Sequence, residues 1–154
     1  MRLIGFICTG NTCRSPMAEC YFKSIIKIYD DIKTFSAGLS AGYGWRAANE
    51  SIRMMRKLNL DLSYHISKPL SDEMVKEAEM LIVMTQMHKE KLLATWPGAV
   101  NKVFILREFE ANPDFEDLNI MDPVGCPIEI YEKCFDLMKV PLERLGEILC
   151  KKYQ

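Results

Sequence analysis

The chain has 154 residues, and its 20 Lys and Arg against 21 Asp and Glu leave a net charge of −1. That balance gives no ground for nucleic acid or an anionic membrane surface as the main partner. No run approaches the ~18 apolar residues of a spanning helix, and the apolar stretch in MRLIGFICTG is too short for a secretory signal. A cytoplasmic monomer that does not engage membranes is expected.

Arg2 to Cys8 reads as a short buried strand, because the run of Leu3, Ile4, Phe6 and Ile7 is too brief for a helix. Ser15-Pro16 opens a helix, with Ser at the N-cap and Pro at the first helical position. Its apolar stripe runs through Ala18, Tyr21/Phe22, Ile25 and Ile28/Tyr29. Lys33 to Ala37 forms a second strand, ended by Gly38. Trp45, Ala48, Ile52 and Met55 mark a second helix that closes near Asn59. Ser71 to Glu77 is a short helix; Met74 stands where a full capping box needs an acidic partner. Met80 to Met84 is another buried strand, followed by a helix carrying Met87, Lys91 and Leu92. Lys102 to Leu106 is a fourth strand. Ile128 to Lys152 is helical by its stripe of Tyr131, Cys134/Phe135, Met138, Leu142, Leu145 and Leu149. Pro141 falls inside that stripe and costs roughly 3 kcal/mol in a straight helix interior, so a kink or break is expected there.

Uniformly apolar strands alternating with helices predict an α/β fold: a four-stranded parallel sheet covered by helices on both faces, in three layers. No repeat, low-complexity tract or Ser/Gly/Pro-rich linker interrupts it, so residues 1–154 are read as one domain. In such sheets the ligand site lies beyond the carboxyl ends of the strands, where Cys8 stands.

The six cysteines are Cys8, Cys13, Cys20, Cys126, Cys134 and Cys150. In a core-rich chain with no export signal they read as reduced thiols. Cys8 and Cys13 are separated by four residues where zinc knuckles have two, and the only histidines are His65 and His88, so no metal is expected. Cys20, Cys126, Cys134 and Cys150 are read as packing residues.

The segment Cys8 to Pro16, CTGNTCRSP, combines a strand end, a Gly/Asn-bearing loop, an arginine and a helix start. Successive loop N–H groups from Thr9 to Ser15 make an oxyanion-binding concavity, and the helix adds its positive end. Gly10 and Asn11 are the residues best able to take positive φ in that curl. Arg14 offers a planar fork to two phosphate oxygens. The same field favours the thiolate of Cys8, and the Ser15 hydroxyl is placed to donate to it. A lone C-x5-R spacing arises by chance, and Cys8 by itself could be a buried strand end. The whole sequence of strand, Gly-Asn, Arg, Ser-Pro and helix is far more specific. Asp122-Pro123 in NIMDPVG reads by itself as an ordinary Asp-Pro turn.

With these residues in view, CTGNTCRSPMAE resembles the signature of the low-molecular-weight protein tyrosine phosphatases, and more closely that of their bacterial protein-arginine-phosphatase branch. The likeness spans nearly the whole chain, taking in Ser36 to Gly38, the segment around His65, Met84-Thr85 and Asp122-Pro123. It implies a cofactor-free phosphatase acting on phosphorylated proteins through a cysteinyl-phosphate. Cys8 is then the nucleophile, Arg14 the phosphate clamp, and Asp122 the general acid and later the base. Thr9, Gly10, Asn11, Thr12, Cys13, Arg14 and Ser15 surround the phosphate. Asn11 and Ser15 brace the loop, as does His65 by a hydrogen bond to Asn11. Cys13 becomes a reversible disulfide partner of Cys8 on oxidation; from sequence it is equally a small buried hydrophobe.

Thr12 stands where the tyrosine phosphatases usually have isoleucine and the arginine phosphatases threonine. The VGC after Asp122-Pro123 lacks the paired tyrosines of many eukaryotic members. Both points favour phosphoarginine, with phosphotyrosine the alternative. Ser40 and VGC depart from the Phe and Phe-Gly-Gly common in the arginine branch. Tyr43 or Trp45 is a cleft wall or part of the core. An arsenate reductase shares the loop but needs two more redox cysteines after the third strand, and Met84 to Leu93 has none. Cys126 and Cys134 have tempting spacing in the wrong place. A non-catalytic phosphate-binding or redox module has no use for Asp122.

Overall fold

The computed structural model describes residues 1–151. Four parallel strands, β1 (Arg2–Cys8), β2 (Ile32–Gly38), β3 (Met80–Val83) and β4 (Val103–Ile105), form one sheet in the order β2-β1-β3-β4. The helices are α1 (Arg14–Ile26), α2 (Asn49–Arg56), α3 (Asp72–Glu77), α4 (Gln86–Thr95) and α5 (Ile128–Cys150).

The period-two geometry of a strand sends alternate side chains of β1 to opposite faces. Ile4, Phe6 and Cys8 join a core shared with Met17 and Phe22 of α1, Met55 of α2 and Phe135 of α5. Ile7 joins a second core with Val75 of α3 and Leu92 of α4. Helices therefore cover both faces, as the apolar strands required. The chain leaves β1 toward β2 on one side and resumes at β3 on the other. That reversal opens a crevice at the carboxyl end of β1, the place where ligands bind in such sheets.

Several expectations need correction. α1 begins at Arg14 with Cys13 at the N-cap, not at Ser15-Pro16, and Cys13 makes no side-chain capping bond. The Ser15 hydroxyl is engaged by the loop instead. α1 also ends a turn early, leaving Ile28 74% exposed. Trp45 precedes α2, and both it and Met87 are exposed, while His88 and Leu92 are the buried residues of α4. The break expected at Pro141 is absent, because α5 runs unbroken from Ile128 to Cys150. Burial of Tyr131, Phe135, Met138, Leu142, Leu145 and Leu149, at roughly 1.5–3 kcal/mol for each large side chain, outweighs the ~3 kcal/mol penalty of the proline. The Lys152 end expected for this helix lies outside the described residues. Ser71 caps α3 through the Met74 N–H, as its position implied. Among the described residues no helix is long and apolar enough to cross a membrane.

Candidate active site

The loop from β1 to α1 is held from outside by its carbonyl groups. Leu39 N donates to Cys8 O (2.9 Å), Ser40 N to Thr9 O (3.0 Å) and Ala48 N to Thr12 O (2.9 Å). Ser51 Oγ adds a bond to Thr12 O, and His65 Nε2 donates to Asn11 O at 2.7 Å. No peptide bond described is cis. In a trans peptide the next N–H points opposite to the carbonyl. Pinning these oxygens outward therefore turns the N–H groups of Thr9, Gly10, Thr12 and Cys13 toward the inside of the loop. An anion cradle follows from where the carbonyls are tied.

Asn11 makes the curl, at φ 56° and fully buried. Its amide nitrogen donates to Ser15 Oγ (2.9 Å) and Ser36 Oγ (3.0 Å), and its Oδ1 accepts from Lys68 N (3.1 Å). Asn tolerates the left-handed region better than other side chains, and these bonds hold it there. Gly10, expected to share that role, keeps a negative φ, because one left-handed residue already closes the loop. Gly38 at the end of β2 matters through its size: a Cβ there would lie 2.4 Å from Thr9 O and 3.2 Å from Asn11 N.

Cys8 sits at the floor, 2% exposed. Its Sγ lies 2.9 Å from Ser15 Oγ and accepts from Asn11 N at 3.3 Å. Because Asn11 donates to Ser15 Oγ, the serine proton is free to point at the sulfur. Arg14, 4% exposed, donates from one terminal nitrogen to Ile120 O (2.9 Å). Its other terminal nitrogen is 3.6 Å from Asp122 Oδ2. Arg14 Nε is buried and has no protein partner among the described residues, as a fork kept for a ligand would be. Asp122 is 44% exposed, and its Oδ1 accepts from Val124 N at 3.1 Å. Between the loop and Asp122–Val124 lies a cleft of about 230 Å³.

Thr9, Gly10, Thr12 and Cys13 line this cleft with Cys8 and Arg14. Asn11, Ser15 and His65 stand behind it as supports. Burial, the larger influence, holds the His65 imidazole below its usual pKa. Cys13 Sγ lies 3.3 Å from Tyr131 Oη, and burial pushes its thiol up. Tyr43 and Trp45, 80% and 67% exposed, are neither core nor lining. Cys126, read as packing, is only half-buried beside Val124, and Cys150 is likewise only half-buried.

Sequence reasoning passed over Ser36, Ile120, Tyr131 and His88 as parts of the site. His88 Nε2 lies 2.9 Å from Thr9 Oγ1. Burial first, then the Arg14 cation, pushes its pKa down to about 4. Its one sequence signal was position: it follows Thr85 by three residues at the start of the helix after β3, beside the strand ends.

With this geometry in hand, the family model described as low molecular weight phosphotyrosine protein phosphatase matches residues 3–154. The chain belongs to that family. Among similar proteins is a protein-arginine-phosphatase of Bacillus subtilis, 33% identical over 95% of each chain. Another is a low molecular weight protein-tyrosine-phosphatase of Acinetobacter johnsonii, 36% identical over 76% of each. A solved structure of the YwlE arginine phosphatase, a cysteine-to-serine mutant with a phosphorylated active-site serine, superposes with a TM-score of 0.89 at 32% identity. It covers 98% of this chain and 97% of its own. Family membership makes this chain a cysteine-dependent protein phosphatase.

Proposed function

We propose that this chain is a single-domain, monomeric, cytoplasmic phosphatase that removes phosphate from arginine side chains of proteins through a cysteinyl-phosphate on Cys8. The observation that carries this reading is one buried sulfur, held by Ser15 Oγ and Asn11 N, on the floor of a cleft that Asp122 closes from the side. Cys8 Sγ attacks phosphorus in line and the P–N bond breaks. The inward loop amides and the Arg14 fork hold the phosphoryl oxygens as charge shifts onto them. Asp122 protonates the departing guanidine nitrogen, then takes a proton from the water that cleaves the S–P bond. Ser15 stabilises the sulfur as it leaves. Arg14 and the loop amides supply positive charge at the phosphate, so no metal is required.

Phosphoarginine is favoured by Thr12, a small polar wall residue against which a planar guanidinium fits, and by the activity named for the Bacillus subtilis relative. Phosphotyrosine is the alternative, favoured by the Acinetobacter relative's named activity. Turnover of matched phosphoarginine and phosphotyrosine peptides separates the two. A higher kcat/KM for the arginine peptide is expected, and Thr12→Ile should shift the ratio toward tyrosine. An unchanged ratio would remove Thr12 from the argument.

A further inference from the structure

Thr9 follows Cys8 directly, lines the cleft, and is held twice. Its carbonyl accepts from Ser40 N, and its hydroxyl lies 2.9 Å from His88 Nε2. His88 itself is anchored: its backbone N–H donates to Thr85 Oγ1 at 3.0 Å, the N-cap bond of α4. His88 is 3% exposed, and its Nδ1 is buried without a protein partner among the described residues.

These facts select a tautomer. An orphaned buried N–H is rarer and costlier than an under-used acceptor. The proton therefore belongs on Nε2, and Nδ1 keeps a bare lone pair. A second proton would create that orphan and set a cation near Arg14, which agrees with the lowered pKa of the ring.

We propose that His88 is a positioning residue which, holding its proton on Nε2, donates to Thr9 Oγ1 and so leaves the Thr9 hydroxyl proton for the oxyanion in the cleft. Thr9 thereby adds a side-chain donor to the ring of main-chain amides, with its direction set from α4. This rests on the reading of the Cys8 loop as the phosphate site and is independent of which phosphoprotein is the substrate.

The glutamine amide nitrogen reproduces histidine Nε2 in reach, whereas the asparagine nitrogen reproduces Nδ1. With p-nitrophenyl phosphate as substrate and inorganic phosphate as competing ligand, His88→Asn and His88→Leu should each lower kcat/KM about tenfold. Each should weaken phosphate inhibition by a similar factor, and His88→Gln should restore both. Thr9→Val should match the leucine variant, and the double variant should be no worse than either alone. Equal damage from glutamine and asparagine, or losses that multiply in the double variant, would overturn the proposal. Should His88→Leu not fold, Thr9→Val, at a half-buried position, decides by itself: unchanged phosphate inhibition overturns the proposal. An inactive wild type would instead indict the phosphatase reading.

Discussion

The phosphate loop and the segment that carries Asp122 are built on opposite principles. Cys8, Asn11, Cys13, Arg14 and Ser15 are buried, and the turn after β2, the start of α2 and His65 tie the loop's carbonyls. Asp122 stands on an irregular stretch in which Ile120 and Pro123 are buried while Asp122, Met121 and Val124 are exposed. Its anchors gather at its base: Ile120 N donates to Met84 O, Arg14 reaches Ile120 O, Arg107 reaches Asn119 O, and Asn119 Oδ1 accepts from Gln86 N. The Asp122 carboxylate itself meets Arg14 at 3.6 Å and the Val124 N–H. A cradle that must present many donors at once is overdetermined. A proton carrier that must approach different leaving groups is tethered at its base and open at its tip.

The contrast can be broken most directly at its two chemical ends. Cys8→Ser should abolish aryl-phosphate turnover while keeping phosphate binding, and residual multiple turnover would exclude Cys8 as nucleophile. Asp122→Asn should cost about 10²–10⁴-fold in kcat, the range for losing a general acid. The loss should shrink for substrates whose leaving group needs no proton, and an equal loss for all leaving groups would take the acid role from Asp122.

Within the cradle, Asn11→Ala removes three side-chain bonds and leaves Ser15, Ser36 and the Lys68 N–H to find new partners. It also puts alanine at φ 56°. About 3 kcal/mol of stability should go, readable by denaturant unfolding. An equivalent substitution in the Asp122 segment, Asn119→Ala, should cost less than about 1 kcal/mol. Equal costs would erase the difference between the two regions.

A further effect is pH-linked. His88 faces Arg14 of α1, Asp122, and Lys91 on its own helix, and its folded pKa of about 4 lies below the ordinary 6.5. Above pH 6.5 neither folded nor unfolded protein binds the extra proton, and stability is fully present. As pH falls from 6.5 toward 4 the unfolded chain takes up the proton and the folded one does not. Stability is therefore lost on acidification, by up to about 3 kcal/mol. His65, also lowered, acts in the same direction. His88→Gln should flatten this part of the unfolding profile between pH 7 and 4.5. An unchanged slope would mean that His88 titrates normally.

Sequence alone carried the strand runs, the parallel sheet and the loop from Cys8 to Ser15, because these are local: apolar runs of strand length, and a contiguous motif whose residues must lie together. Tertiary structure decided everything that depends on closeness between distant segments. Whether Pro141 breaks a helix was settled by what that helix buries, and the start of α1 by the pull of Asn11 and Cys8 on Ser15. The contact of His88 with Thr9 spans 79 positions, and that of Tyr131 with Cys13 spans 118. A hydrogen bond leaves no trace in local periodicity when its partners meet only after the sheet has formed.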